Sequence, residues 1–164
     1  MLGDKGFIFA GHSGAGKTTI VTMMGPMAEV LCDDRMIVRR WPEGFKAHGT
    51  WSHGDLEDVS PKSALLKGIF FLNQARENRI VPLVDRNKIV RKLLACLVRP
   101  LVTSDWWDSM LELVEDIASE VPCFELYFDK SGGIVPLLRE LGTSRLAPSI
   151  STLPVLKPRN RQPQ

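Results

Sequence analysis

The stretch "FAGHSGAGKTT", residues 9–19, constrains this chain more than any other. Gly11, Gly14 and Gly16 precede Lys17, Thr18 and Thr19, and Gly11-x-x-x-x-Gly16-Lys17-Thr18 fits the pattern of a phosphate-binding P-loop. Before it, "GFIFAG" (6–11) is a short apolar run ending in glycine, as a buried parallel strand would be. After it, a helix is predicted from Gly16 to about Met24, stopped by Gly25-Pro26. Strand, glycine turn and helix are the context the motif needs. The glycines let the backbone wrap until successive N–H groups point at phosphate oxygens, and the helix N-terminus adds partial positive charge. The expected nucleotide-binding set is Gly11, His12, Ser13, Gly14, Ala15, Gly16, Lys17, Thr18 and Thr19. Lys17 would reach the β- and γ-phosphates of a nucleotide, and the Thr18 hydroxyl would ligate magnesium.

A P-loop announces a nucleotide but not a reaction. The next apolar run, "AEVLCDD" (28–34), reads as a second buried strand ending in Asp33 and Asp34, sixteen and seventeen residues after Lys17. A strand beside the first would deliver both carboxylates to the carboxyl end of an open sheet, where ligands sit. One could hold the metal and the other accept the proton of an attacking hydroxyl. These residues leave open which does which, and a solvated Asp-Asp turn is the plain alternative. Other P-loop classes fit less well. "KSGG" (130–133) lacks the flanking residues of an LSGGQ signature and is expected in a hairpin turn. No Asn/Thr-Lys-x-Asp guanine motif is present, and no basic helical lid stands out.

Further along, "MIVRR" (36–40) and "GFKAHG" (44–49) read as short strands joined through Pro42-Glu43-Gly44. "GIFFLNQ" (68–74) and "RIVPLV" (79–84) read as a second strand pair, with Pro82 putting the latter at an edge or strand end. A helix is predicted from an Asp85 cap to Val98, and another carries Trp107, Met110, Leu111, Val114, Ile117 and Val121 at helical spacing, capped by Thr103 or Ser104. "CFELYFD" alternates like a strand, and "IVPLLREL" closes the domain. The expectation is one α/β domain with a β-rich central sheet and flanking helices over residues 1–142.

The formal charge of +2 conceals an uneven distribution. Residues 143–164 hold Arg145, Lys157, Arg159, Arg161 and four prolines with no acid, which predicts a flexible basic tail. The remaining body carries seventeen basic and nineteen acidic residues, which gives no nucleic-acid surface. No apolar run approaches a membrane span, so no membrane partner is expected. Cys32, Cys96 and Cys123 are odd in number and widely spaced, and read as buried reduced thiols of a cytoplasmic protein.

At this point the chain resembles the HPr kinase/phosphorylase catalytic domain, within the group sharing the phosphoenolpyruvate carboxykinase fold. "GHSGAGKTT" (11–19) and "VLCDDRMIVRR" (30–40) carry the resemblance, and "SALLKGIFFLNQARENRIVPL" and "PCFELYFDKSGGIVPLL" extend it toward small HPr-kinase-related proteins over roughly residues 6–142. It implies a kinase that uses ATP and magnesium to phosphorylate a hydroxyl, typically a serine in a protein or peptide. By position it makes Lys17 and Asp34 catalytic, with Asp34 the general base, and gives magnesium to Thr18 with help from Asp33. Two family features are missing from their expected places. Residues 1–10 contain no upstream histidine, and "LLKGIFFLN" has no magnesium-binding glutamate. The rival readings are a small-metabolite kinase on the same scaffold and a nucleotide-binding regulatory protein. Secondary candidates are His53, Asp55 and Glu57 within "HGTWSHGDLED" (48–58), with Arg35, Arg76 and Arg79. Assembly into a homo-oligomer is left open.

Overall fold

The computed structural model describes residues 1–52, 54–56, 59–98 and 103–143. The order is β1 (Lys5–Ala10), α1 (Lys17–Met24), a 3-10 turn (Gly25–Met27), β2 (Ile37–Trp41), β3 (Gly44–His48) and β4 (Ser63–Gln74), then β5 (Arg79–Leu83), α2 (Arg86–Cys96), α3 (Ser104–Glu120), β6 (Cys123–Phe128) and α4 (Ile134–Thr143). The expected basic tail lies almost wholly outside the described residues, as do His53 and Glu57.

The six strands form one mixed sheet in the order β2-β3-β4-β6-β5, with β1 also on β4. β4 is the axis. Its residues Ile69–Phe71 pair with β1 and with β6, both parallel, while Leu65 pairs with β1 and with antiparallel β3. β1 therefore takes one edge of β4, and β3 and β6 share the other end to end. At the β1–β4 junction Gly6 pairs with Leu66 but Phe7 pairs with Gly68, so Lys67 is bulged. Beyond the bulge, odd and even residues of β4 face opposite layers. Ile69 and Phe71 join Cys123 against Ile89 of α2 and Ile117 of α3. Phe70 and Leu72 join Phe124, Leu126 and Phe128 against Ile20 of α1 and Leu138 of α4. Helices thus cover both faces, and β6 is buried on both, as parallel pairing requires.

Local signals set the helix starts. The Asp85 carboxylate accepts the Lys88 N–H, and the Thr103 hydroxyl accepts the Trp106 N–H. Trp106 and Trp107 are both half-buried and meet edge to face. The β2–β3 hairpin turns at Pro42-Glu43, and Gly44 follows with φ of 123°.

Four expectations are corrected. No strand forms over 28–34: among the described residues Glu29 donates its N–H to the Met1 carbonyl and accepts from the Met1 ammonium, the Leu31 carbonyl accepts the Ser60 N–H, and no ladder builds on either contact. Leu31 is buried, so this apolar run reflects core contact without strand pairing. β4 and β5 are not a pair, because β6 lies between them. β5 goes to the edge, where the missing N–H of Pro82 breaks no ladder. The "KSGG" turn leads from β6 into α4 rather than closing a hairpin. Of the cysteines only Cys123 is buried; Cys32 is half-buried and Cys96 exposed, and all three are free thiols.

Candidate nucleotide site

β1 delivers the glycine loop to the carboxyl end of the parallel strands. The loop is held from below. Ala15 is 4% exposed in the α1–α4 core, and its N–H donates to the His12 carbonyl at 3.1 Å. Gly14 and Gly16 have φ of 78° and 99°, left-handed values that L side chains resist. Gly11 is glycine for a different reason: a Cβ there would lie 2.6 Å from the Ala15 Cβ. From the end of β4, Gln74 Nε2 donates to the Gly14 carbonyl at 2.8 Å. His12 Nδ1 donates to the Ser13 carbonyl at 2.6 Å, which turns the exposed imidazole along the loop.

Gly16 caps α1 without a side chain, and the first-turn amides of Lys17, Thr18 and Thr19 have no carbonyl a full helical turn behind them. The Lys17 ammonium donates to the Gly11 and His12 carbonyls, each at 3.1 Å. A cation and a set of orphan amides thus converge at one helix N-terminus, an arrangement suited to an anion. Thr18 is half-buried one residue on.

The two aspartates stand on irregular backbone. Asp33 accepts the Gly54 N–H at 2.6 Å on one oxygen and the Leu56 N–H at 3.0 Å on the other. Asp34 Oδ2 accepts the Ser52 hydroxyl at 3.1 Å and pairs with Arg35 Nε at 3.5 Å. Cys32 Sγ donates to the Ser52 carbonyl and Thr50 Oγ1 to the Arg35 carbonyl, both at 2.6 Å. Residues 32–35 are therefore interlocked with Thr50, Ser52, Gly54 and Leu56. Lys17, Asp33 and Asp34 line a common cavity of about 840 Å³, with Gly11, His12 and Ser13.

Of the secondary candidates, Arg35 anchors Asp34 and Asp55 is exposed. Arg79 lies on edge strand β5, 4.0 Å over the Tyr127 ring and paired with Glu77 at 3.0 Å, while Arg76 is exposed in the β4–β5 turn. His48 accepts the Trp41 indole N–H at 3.2 Å. Four residues that the sequence reading did not single out also belong here: Gln74, Ser52, Phe128 beneath Gly16, and Cys96. Gln74 and Phe128 stand at the carboxyl ends of strands parallel to β1, a position that pairing alone reveals. Cys96 lines the cavity, and burial pushes its thiol up while the charges of Lys17 and Lys92 oppose that shift.

Among the described residues no three His, Cys, Asp or Glu side chains gather as a metal cage. Of the residues expected to hold a cation, Asp33 and Asp34 line the cavity with Lys17, whereas Thr18 is not among its lining residues. Asp33 is already engaged by two main-chain donors and is held rigidly, so it would serve a metal from a fixed position. No helix among the described residues is long and apolar enough to cross a membrane. Compared with known proteins, the chain matches no protein-family model, no curated protein and no solved structure.

Proposed function

We propose that the chain is an ATP- and magnesium-dependent kinase that transfers the γ-phosphoryl group to a hydroxyl, a serine of a protein or peptide. The observation that carries this reading is that Lys17 and the Asp33–Asp34 pair wall one cavity where the glycine loop enters α1. In this reading the loop is a P-loop, and the finer fold is that of the HPr kinase and phosphoenolpyruvate carboxykinase group.

The loop amides and Lys17 would hold the β- and γ-phosphates. The acceptor oxygen attacks the γ-phosphorus, the bond to the bridging oxygen breaks and ADP departs. Asp34 takes the hydroxyl proton; its known partners both address Oδ2, so Oδ1 is assigned to the transfer. Thr18 and Asp33 would hold magnesium. When bound, that ion neutralises charge on the phosphates. Most of the acceleration would come from positioning and electrostatics, with the proton transfer contributing about 10²–10⁴-fold.

A second reading is a nucleotide-binding regulatory protein. It is favoured by the commitment of both Asp33 oxygens to main-chain N–H groups. Transfer from γ-labelled ATP into an extract of source cells, with Lys17→Ala as control, separates the possibilities. Label in a protein or peptide band supports the proposal. Label in small molecules makes the chain a metabolite kinase, and no transfer beside tight ATP binding leaves a regulatory module.

A further inference from the structure

The cavity that reaches Lys17 follows the edge of β1 rather than either of its faces. Phe7, Ile8, Phe9, Ala10 and Gly11 all line it. Consecutive strand residues point to opposite faces, so a cavity touching five in a row runs along the backbone itself. Its far wall is also continuous, the irregular segment from Ala28 to Met36. Both helical layers close it, with Val21 and Met24 of α1 on one side and Leu93, Met110 and Ile117 of α2 and α3 on the other.

β1 bonds to β4 along one edge. Among the described residues no main-chain partner meets its other edge between Gly6 and Ala10. Alternate residues of such a strand turn their N–H and C=O away from the sheet, so the channel is edged by a row of donors and acceptors. A small apolar molecule would desolvate these groups and leave them unmet. An extended peptide backbone carries the matching groups at the matching spacing, and its side chains alternate toward the two apolar layers.

We propose that this channel takes an extended peptide as an added strand beside β1, and that this peptide is the phosphoryl acceptor. Strand addition stands on the channel alone, whereas the acceptor role rests on the kinase reading. A partner of six residues would span about 20 Å, the length of β1. Its hydroxyl-bearing residue lies at the Gly11 end, beside Lys17 and Asp34, and valine-sized side chains fill the pockets. Met24, Met36 and Met110 supply adaptable walls, which suits a peptide of variable apolar residues. The serine oxygen bonds to the γ-phosphorus, ADP leaves with the bridging oxygen, and the serine proton passes to Asp34.

The test uses the isotopically labelled full chain without nucleotide and an acetylated, amidated hexapeptide of alternating valine and serine. Alternate amides between Gly6 and Ala10 should shift downfield and exchange about tenfold or more slowly when the peptide is added. A twin peptide N-methylated at alternate residues should leave them unmoved, and Val30→Arg in the far wall should weaken peptide binding. Unchanged β1 amides, or equal effects of the N-methylated twin or of decanol, would overturn strand addition. Peptide bound in the channel while labelled phosphate enters only other acceptors would overturn the acceptor role. Failure of ATP binding would overturn the kinase reading, and the β1 amides would still decide the channel.

Discussion

Gly16 stands against the ring of Phe128: a Cβ at Gly16 would come within 2.7 Å of that ring, where the backbone already has φ of 99°. The loop's shape is thus tied to the core through β6. Gly16→Ala meets both a steric and a conformational penalty, and should cost about 1–3 kcal/mol by urea unfolding and lower nucleotide affinity. Adding Phe128→Leu should recover part of the stability but not the affinity, since the left-handed φ remains.

The adjacent aspartates should separate cleanly. Asp33→Asn replaces one acceptor oxygen with an amide facing a main-chain N–H, so the backbone at Gly54 and Leu56 should loosen, with about 1–3 kcal/mol lost and faster proteolysis after Trp51. Asp34→Asn alters an exposed group whose ion pair is worth little, so its unfolding midpoint should stay near wild type. Its phosphotransfer rate should fall about 10²-fold or more with ATP affinity retained.

Glu125 provides a pH test of the scaffold. It is 6% exposed on β6, and its carboxylate meets Lys88 at 3.0 Å, Lys92 at 3.3 Å and the Asn73 amide at 2.7 Å. Burial raises its pKa, but the bonds from Lys88 and Asn73 and the charge of Lys92 together outweigh that, leaving it below the ordinary value. A folded-state pKa below the unfolded one stabilises the protein above the ordinary carboxyl range, and that contribution disappears as pH falls through the folded value. Glu125→Gln should therefore lower the melting temperature at pH 7, and the gap to wild type should close in acid.

The cysteines should react by position. Burial pushes Cys123 up to about 12, so it should resist a thiol reagent until the protein unfolds. Cys96 is exposed and lines the cavity with Lys17, so it should label slowly at neutral pH and more slowly still with saturating ATP. Mass mapping of alkylated peptides reads both outcomes.

Punctuation was legible in the sequence: the loop glycines, the Asp85 and Thr103 caps, and the hairpin at Pro42-Glu43 act through neighbouring residues. What escaped it was long-range pairing. The apolar residues of "AEVLCDD" satisfy a strand pattern equally well when Leu31 alone is buried and no sheet edge is offered. β4 and β5 are neighbours in sequence, yet β6 inserts between them because two strands buried on both faces pair in parallel. No local signal encodes that choice. The clamp of Asp33 by the Gly54 and Leu56 amides was equally hidden, since backbone donors carry no residue identity.

The most direct test of the account is calorimetric binding of magnesium-ATP to the wild-type chain and to Lys17→Ala. Among the described residues Lys17 donates to two loop carbonyls and to no other group, so its removal should leave the fold intact. The account predicts saturable one-site binding by wild type and affinity weakened about tenfold or more by the variant, a loss of about 1.4 kcal/mol or greater. Absence of binding to wild type, or equal affinity in the variant, would contradict a triphosphate held on this loop.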